Sequence, residues 1–170
     1  MFSKKIGAAG LMALLAMFVS GAAVAECKFE STTAGNKPFT IKLTDKDTPE
    51  VKEFLETCKN PYTKKFVADP EAAKQGKKKF ALYSCTQCHG GDGQGQTGPA
   101  VIDDLWQYSK HTTDKGLFET IAGGSDLGMP MWHQQLAGNP DYPSTYEILK
   151  IIGWIRANFK GKDPEKAWLK

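Results

Sequence analysis

Apolar positions along this chain recur mostly at helical spacing. Val51, Phe54, Leu55 and Cys58 share one stripe. Thr48 precedes it as an N-cap, Pro49 takes the first helical position, and Asn60-Pro61 marks the stop. A second helix starts at Asp69 with Pro70 just inside, and Ala73, Gly76, Phe80 and Tyr83 form its face. Gly76 costs about 1 kcal/mol in a helix interior. A close helix crossing would explain it, because no side chain holds a partner away. A short helix over 114–122 carries Leu117, Phe118 and Ile121 and ends at Gly123-Gly124. The last helix opens with a capping box, Ser144 and Glu147. It continues with Ile148, Ile151, Ile152, Ile155 and Phe159, flanked by Trp154, and ends near Gly161. The helix before residue 85 and the last helix are the expected crossing pair.

Other segments lack this period. Residues 26–48 are polar and irregular, and the alternation Phe39-Thr40-Ile41-Lys42-Leu43 suits an extended arm or an edge hairpin. The pattern as a whole predicts a small all-α domain with long loops, and such loops need something to organise them. Residues 1–25 read differently again. Lys4 and Lys5 precede an apolar run over 6–19, and Ala23-Val24-Ala25 is a small-x-small cleavage site. This is a signal peptide cut near Ala25, and the run is short for a spanning helix. The expected divisions are 1–25 signal peptide, 26–65 N-terminal extension and 66–170 main domain.

The charge balance changes little. The chain has 22 basic and 19 acidic residues, and cleavage removes Lys4 and Lys5 and no acid, leaving about +1. Nothing in that balance argues for nucleic acid or for stable insertion into a membrane. Lys74, Lys77, Lys78 and Lys79, and again Lys150, Arg156, Lys160, Lys162, Lys166 and Lys170, cluster locally and read as solvated helix faces. Of the four cysteines, Cys27 and Cys58 stand apart and suit a disulfide in an oxidising compartment.

The other two belong to Cys85-Thr86-Gln87-Cys88-His89. This spacing attaches a c-type haem: two thiols add to the haem vinyl groups, and the adjoining imidazole becomes a ligand of the iron. Half a zinc site and a thioredoxin-like dithiol are the competing readings. Zinc lacks a second ligand pair in the sequence, and the dithiol lacks a preceding strand and parallel sheet. Residues 90–98 are glycine-rich, which lets a chain pass close to a flat cofactor. One covalent haem c is therefore expected, held by Cys85 and Cys88 with His89 on the iron.

The second axial ligand has four candidates: Met129, Met131, His111 and His133. Met129-Pro130 lies in a loop that follows a helix, and a thioether there would raise the potential and close the iron to outside ligands. His111 and His133 sit among polar neighbours and read as surface residues. Trp106 and Trp132 suit walls of a haem site or donors to a propionate.

With these residues the chain resembles class I c-type cytochromes: Gly76 with Phe80, residues 85–89, Gly98-Pro99 and Met129-Pro130 follow that family's order. The resemblance implies that the Pro99 carbonyl orients His89 through its second nitrogen. A narrower resemblance, to the cytochrome cL family, rests on Asp47-Thr48-Pro49, Phe54-Leu55-Glu56-Thr57, Asn60-Pro61-Tyr62, Asp104-x-Trp106-x-Tyr108, Thr113-Asp114-x-Gly116-Leu117-Phe118 and Trp154-Ile155-Arg156. It implies a class I cytochrome c fold with an N-terminal extension, and a periplasmic carrier of single electrons. The implied donor is a quinoprotein methanol or alcohol dehydrogenase, and the acceptor a downstream c-type cytochrome or oxidase. It implies no bond chemistry on a substrate. A peroxidase-like haem enzyme and a haem subunit of a larger redox complex are the alternatives. Met131 and Trp132 are expected in the docking patch.

Overall fold

The computed structural model describes residues 26–33 and 35–161, so the signal peptide expected over 1–25 and Lys162, Lys166 and Lys170 lie outside the described residues. Two short strands open the fold. β1 (Phe29–Glu30) and β2 (Pro38–Phe39) pair antiparallel, with Phe29 opposite Phe39. The alternation that follows Phe39 does not extend the ribbon. Only Ile41 is buried there, and Lys42 instead pairs its backbone with the Gln135 side chain.

Three helices then begin on proline: α1 (Pro49–Thr57), α2 (Pro61–Ala68) and α3 (Pro70–Leu82). Proline fits because the first helical N–H has no partner inside the helix. The hydrophobic pattern does not predict α2, because Asn60-Pro61 reads as a stop. Those two residues do both jobs. Cys58 closes α1 in the left-handed conformation, and Asn60 Oδ1 accepts from the Tyr62 N–H at 3.0 Å to start α2. Asn60 Nδ2 also donates to the Leu149 carbonyl at 2.8 Å, which pins the start of α2 to the last helix.

The chain continues through α4 (Thr86–His89), a 3-10 turn (Ser109–Thr112), α5 (Asp114–Gly123), α6 (Gln134–Ala137) and α7 (Thr145–Asn158). The capping box at Ser144 and Glu147 is formed, and α7 ends at Asn158, before the expected Gly161. This helix is the axis of the fold, with α2, α3 and α5 packed on it. Ile148, Leu149, Ile151, Ile152 and Ile155 are all buried, each worth about 1.5–3 kcal/mol. Gly76 lies where α3 crosses α7, and a Cβ there would collide with the Lys150 carbonyl and the Trp154 side chain.

Because α7 is covered on several sides, two of its cations are not on a solvated face. Lys150 is buried, with its ammonium 2.9 Å from Gln75 Oε1 and 4.3 Å from the Tyr146 ring centre. Arg156 is buried too, and its Nε donates to Asp114 Oδ1 at 2.8 Å while the Thr63 hydroxyl donates to Asp114 Oδ2 at 2.9 Å. This set joins α7, α5 and α2. His133 is likewise interior rather than surface. Both ring nitrogens are used: Nδ1 accepts from the Gln135 N–H at 3.2 Å and Nε2 meets the Thr145 hydroxyl at 3.0 Å. Burial pushes the imidazole down to about 4.

The N-terminal segment joins the same core. Cys27 and Cys58 form a disulfide, and the Cys27 N–H donates to the Leu55 carbonyl at 2.8 Å. Phe29 packs between Phe54 and Phe118, with ring centres 5.7 and 5.0 Å away. Glu119, buried on α5, accepts from the Glu30 N–H at 2.8 Å and pairs with Lys110 and Lys115.

Candidate functional site

The helix α3 stops at Leu82, and Ser84 takes a left-handed turn that starts the single turn α4. That turn carries Cys85, Cys88 and His89. All three line one cavity of about 450 Å³, within the usual range of ~300–1,000 Å³ for cofactor sites. Met129 lines the same cavity from a loop 40 residues further on. Met131 and His133 do not line it, but His111 does. Trp106, Trp132 and Phe80 supply aromatic walls, and Ile151 and Ile155 expose the apolar side of α7 to it.

His89 is oriented by its surroundings. Its Nδ1 lies 2.8 Å from the Pro99 carbonyl, which can only accept, so Nδ1 carries the proton and Nε2 presents a lone pair. Gly98 packs tightly beside it: a Cβ there would sit 3.2 Å from the imidazole Cε1, so the ring would have to give by a few tenths of an ångström. The Gly98 N–H donates to the Cys88 carbonyl at 2.8 Å and the Gly95 N–H to the His89 carbonyl at 2.7 Å, so the glycine-rich loop is bonded back onto the motif.

The Met129 loop is held from elsewhere. The Ser125 N–H donates to the Met129 carbonyl at 2.9 Å, the Asp126 N–H to Thr32 at 3.2 Å, and the Trp132 N–H to Ile121 at 3.1 Å. Tyr108 donates its hydroxyl to Asp126 at 2.7 Å, closing the loop against residues 104–108. Trp106 stacks flat on Phe159 at 4.2 Å, with the Arg156 guanidinium 5.0 Å from its ring centre.

His111 corrects the surface assignment. It is buried, and its ring packs in T-shaped fashion with Trp106 and Tyr108 at 6.3 and 5.1 Å between centres. Its Nε2 lies 2.8 Å from the Thr120 hydroxyl. Burial pushes it down to about 4, aided by the Arg156 and Lys110 charges, so it is neutral at pH 7.

The two other readings of the cysteine pair find no support. Burial pushes the Cys85 thiol up to about 11, the wrong direction for a reactive thiolate. Among the described residues no group of three or more His, Cys, Asp or Glu is placed to hold a metal ion. The donor set and the apolar walls instead fit a flat, covalently held macrocycle: two thiols and an oriented imidazole on one turn, a thioether on a separate loop, and glycine where a side chain would intrude.

Comparison with known proteins agrees. Residues 71–142 match the family described as cytochrome c oxidase, cbb3-type, subunit III. The cytochrome c-L of Methylorubrum extorquens is 40% identical over 124 residues, covering 73% of this chain, and the match spans 57% of that relative's length. The fold superposes on cytochrome cL of Methylophaga aminisulfidivorans with a TM-score of 0.68 at 33% identity, covering 85% of this chain and 88% of that one. For cytochrome cL of Hyphomicrobium denitrificans the TM-score is 0.69 at 35% identity, covering 86% and 82%. The chain belongs to the cytochrome cL family of c-type cytochromes, whose prosthetic group is covalent haem c.

Proposed function

We propose that this protein is a periplasmic one-electron carrier that takes electrons from a quinoprotein methanol or alcohol dehydrogenase and delivers them to a downstream c-type cytochrome or oxidase. The observation that carries the reading is the convergence of Cys85, Cys88, His89 and Met129 on one apolar cavity. In this reading Cys85 and Cys88 bind haem through thioethers. His89 would hold the iron through its Nε2 lone pair, and Met129 would hold it through its thioether sulfur. Haem c supplies a one-electron couple. The chain does the rest: Pro99 keeps the His89 ring in one tautomer, and the aromatic and aliphatic walls exclude water.

Leu105 and Leu127 line the cavity and are exposed, and Met131 is exposed on the same loop as Leu127. An apolar rim of this size suits a small interface that forms and separates quickly, as a carrier needs. Trp132, half-buried against Tyr142 at 4.8 Å, belongs more to the wall than to the rim. Among the described residues no helix is long and apolar enough to cross a membrane.

Absorption spectroscopy tests the ligand set. The oxidised protein is expected to show the weak red band of methionine-to-iron coordination, and Met129→Ala is expected to abolish it. A band that survives in Met129→Ala overturns the ligand assignment, and strong carbon monoxide binding by the reduced wild type at neutral pH favours an enzyme. The partner is tested by mixing oxidised protein with purified methanol dehydrogenase and methanol. Prompt haem reduction supports the donor, and its absence removes that donor while leaving the carrier reading intact.

A further inference from the structure

A haem brings two propionate carboxylates as well as iron, and a carboxylate drawn into an apolar cavity needs hydrogen-bond donors. The cavity offers few buried polar side chains. His111 and Thr120 are two, at 7% and 6% exposure, and both line it. They form a chain: the Thr32 and Thr120 hydroxyls are 2.7 Å apart, and Thr120 Oγ1 is 2.8 Å from His111 Nε2. No hydrogen bond reaches His111 Nδ1 among the described residues. Trp106 and Tyr108 pack steeply against the His111 ring, at 89° and 70° between planes, and brace it.

A neutral imidazole carries one proton, and the chain can be written with both threonine hydroxyls donating toward the ring, which leaves the Nδ1 proton to donate into the cavity. Thr32 donates to Thr120, Thr120 donates to His111 Nε2, and Nδ1 keeps the proton. Lys110 and Arg156 both act on this ring electrostatically. The positive potential that disfavours a second proton on the imidazole favours an anion beside it.

Resting on the haem reading above, we propose that His111 donates from Nδ1 to one haem propionate, and that Thr120 and Thr32 hold it in the donating tautomer. His111 is then a positioning residue, and it ties the N-terminal arm, through Thr32, to the redox centre. A donor draws negative charge off the carboxylate. Less negative charge near the iron favours the ferrous state and raises the potential.

The test uses the covalently haem-loaded protein. His111→Phe is expected to shift the ferric–ferrous equilibrium toward ferric by about tenfold, ~59 mV for a one-electron couple. His111→Gln, which retains an N–H donor, should recover most of the shift. Nitrogen NMR of the wild type should place the proton on His111 Nδ1 and leave Nε2 unprotonated. Intact haem with an unmoved potential in His111→Phe overturns the proposal. So does a wild-type proton on Nε2, or a spectrum showing His111 on the iron. If His111→Phe fails to fold, the wild-type NMR result decides alone. A purified chain with no covalent haem defeats the underlying reading instead, and the pyridine haemochrome spectrum separates that outcome from failure of the proposal.

Discussion

The two sides of the cavity are built on different principles. The wall bearing Cys85, Cys88 and His89 is contiguous in sequence, follows directly from α3 and rests on the α3–α7 crossing at Gly76. The wall bearing Met129 is a loop whose anchors lie at Thr32, Ile121 and Tyr108. One wall inherits its position from a helix pair, while the other is a meeting point of distant segments. The first should persist as long as the helices do. The second should be the first to open, because loops held by a few exposed or half-buried hydrogen bonds have low local stability.

Cutting the Cys27–Cys58 disulfide gives the largest expected effect. In the chain-entropy model its 31-residue separation contributes about 3–4 kcal/mol. Cys27→Ser with Cys58→Ser releases the arm that carries Thr32, so the loss should fall unevenly. In denaturant titrations the methionine-to-iron band is expected to vanish before the far-ultraviolet helix signal. Coincident transitions would mean that the two walls form one cooperative unit rather than a stable wall and a labile one.

The same contrast governs what the sequence discloses. The Cys85-to-His89 turn, the helix behind it and the role of Gly76 are local patterns, legible from spacing alone. Met129 could be named as a candidate but not placed, since its anchors are remote in sequence. His111 and His133 look like surface residues because Lys110, Thr112 and Gln134 flank them. The partners that meet their ring nitrogens lie further along the chain, Thr120 nine residues after His111 and Thr145 twelve residues after His133, beyond the flanking polar residues. Arg156 misleads in the same way. Its position on α7 is charged, yet α5 supplies Asp114 to meet it. The α2 helix escaped because Asn60-Pro61 carries a stop signal and a start signal in the same two residues.

Gly76→Ala acts on the other wall. The added Cβ would meet the Lys150 carbonyl and the Trp154 side chain, so α3 must move off α7. Overpacking of this kind costs about 1–3 kcal/mol. Here the methionine-to-iron band and the helix signal are expected to disappear together, since the crossing supports the whole cavity. Early loss of the band alone in this variant would show that the Met129 wall, too, leans on the α3–α7 contact.

The smallest effect is the most specific to the loop wall. His133 ends the segment that carries Met129, and its N–H donates to the Ala122 carbonyl at 3.4 Å. Its Nδ1 accepts from Gln135, so a second proton on the ring destroys that cap. Burial holds its pKa near 4 against an ordinary 6.5, with Asp47 opposing the shift. In the interval between those values the unfolded chain binds a proton that the folded chain refuses. Stability is therefore complete above pH 6.5 and declines as the solution is acidified toward 4. Between pH 7 and 5.5 the loss from this one group is about 1 kcal/mol. His133→Gln keeps an acceptor for Gln135 and a donor for Thr145 but cannot titrate. Chemical denaturation at several pH values should therefore show a flatter profile for the variant than for the wild type by about that amount. Parallel profiles would mean that the cap at Gln135 survives protonation and that the Met129 loop is braced against acid by other groups.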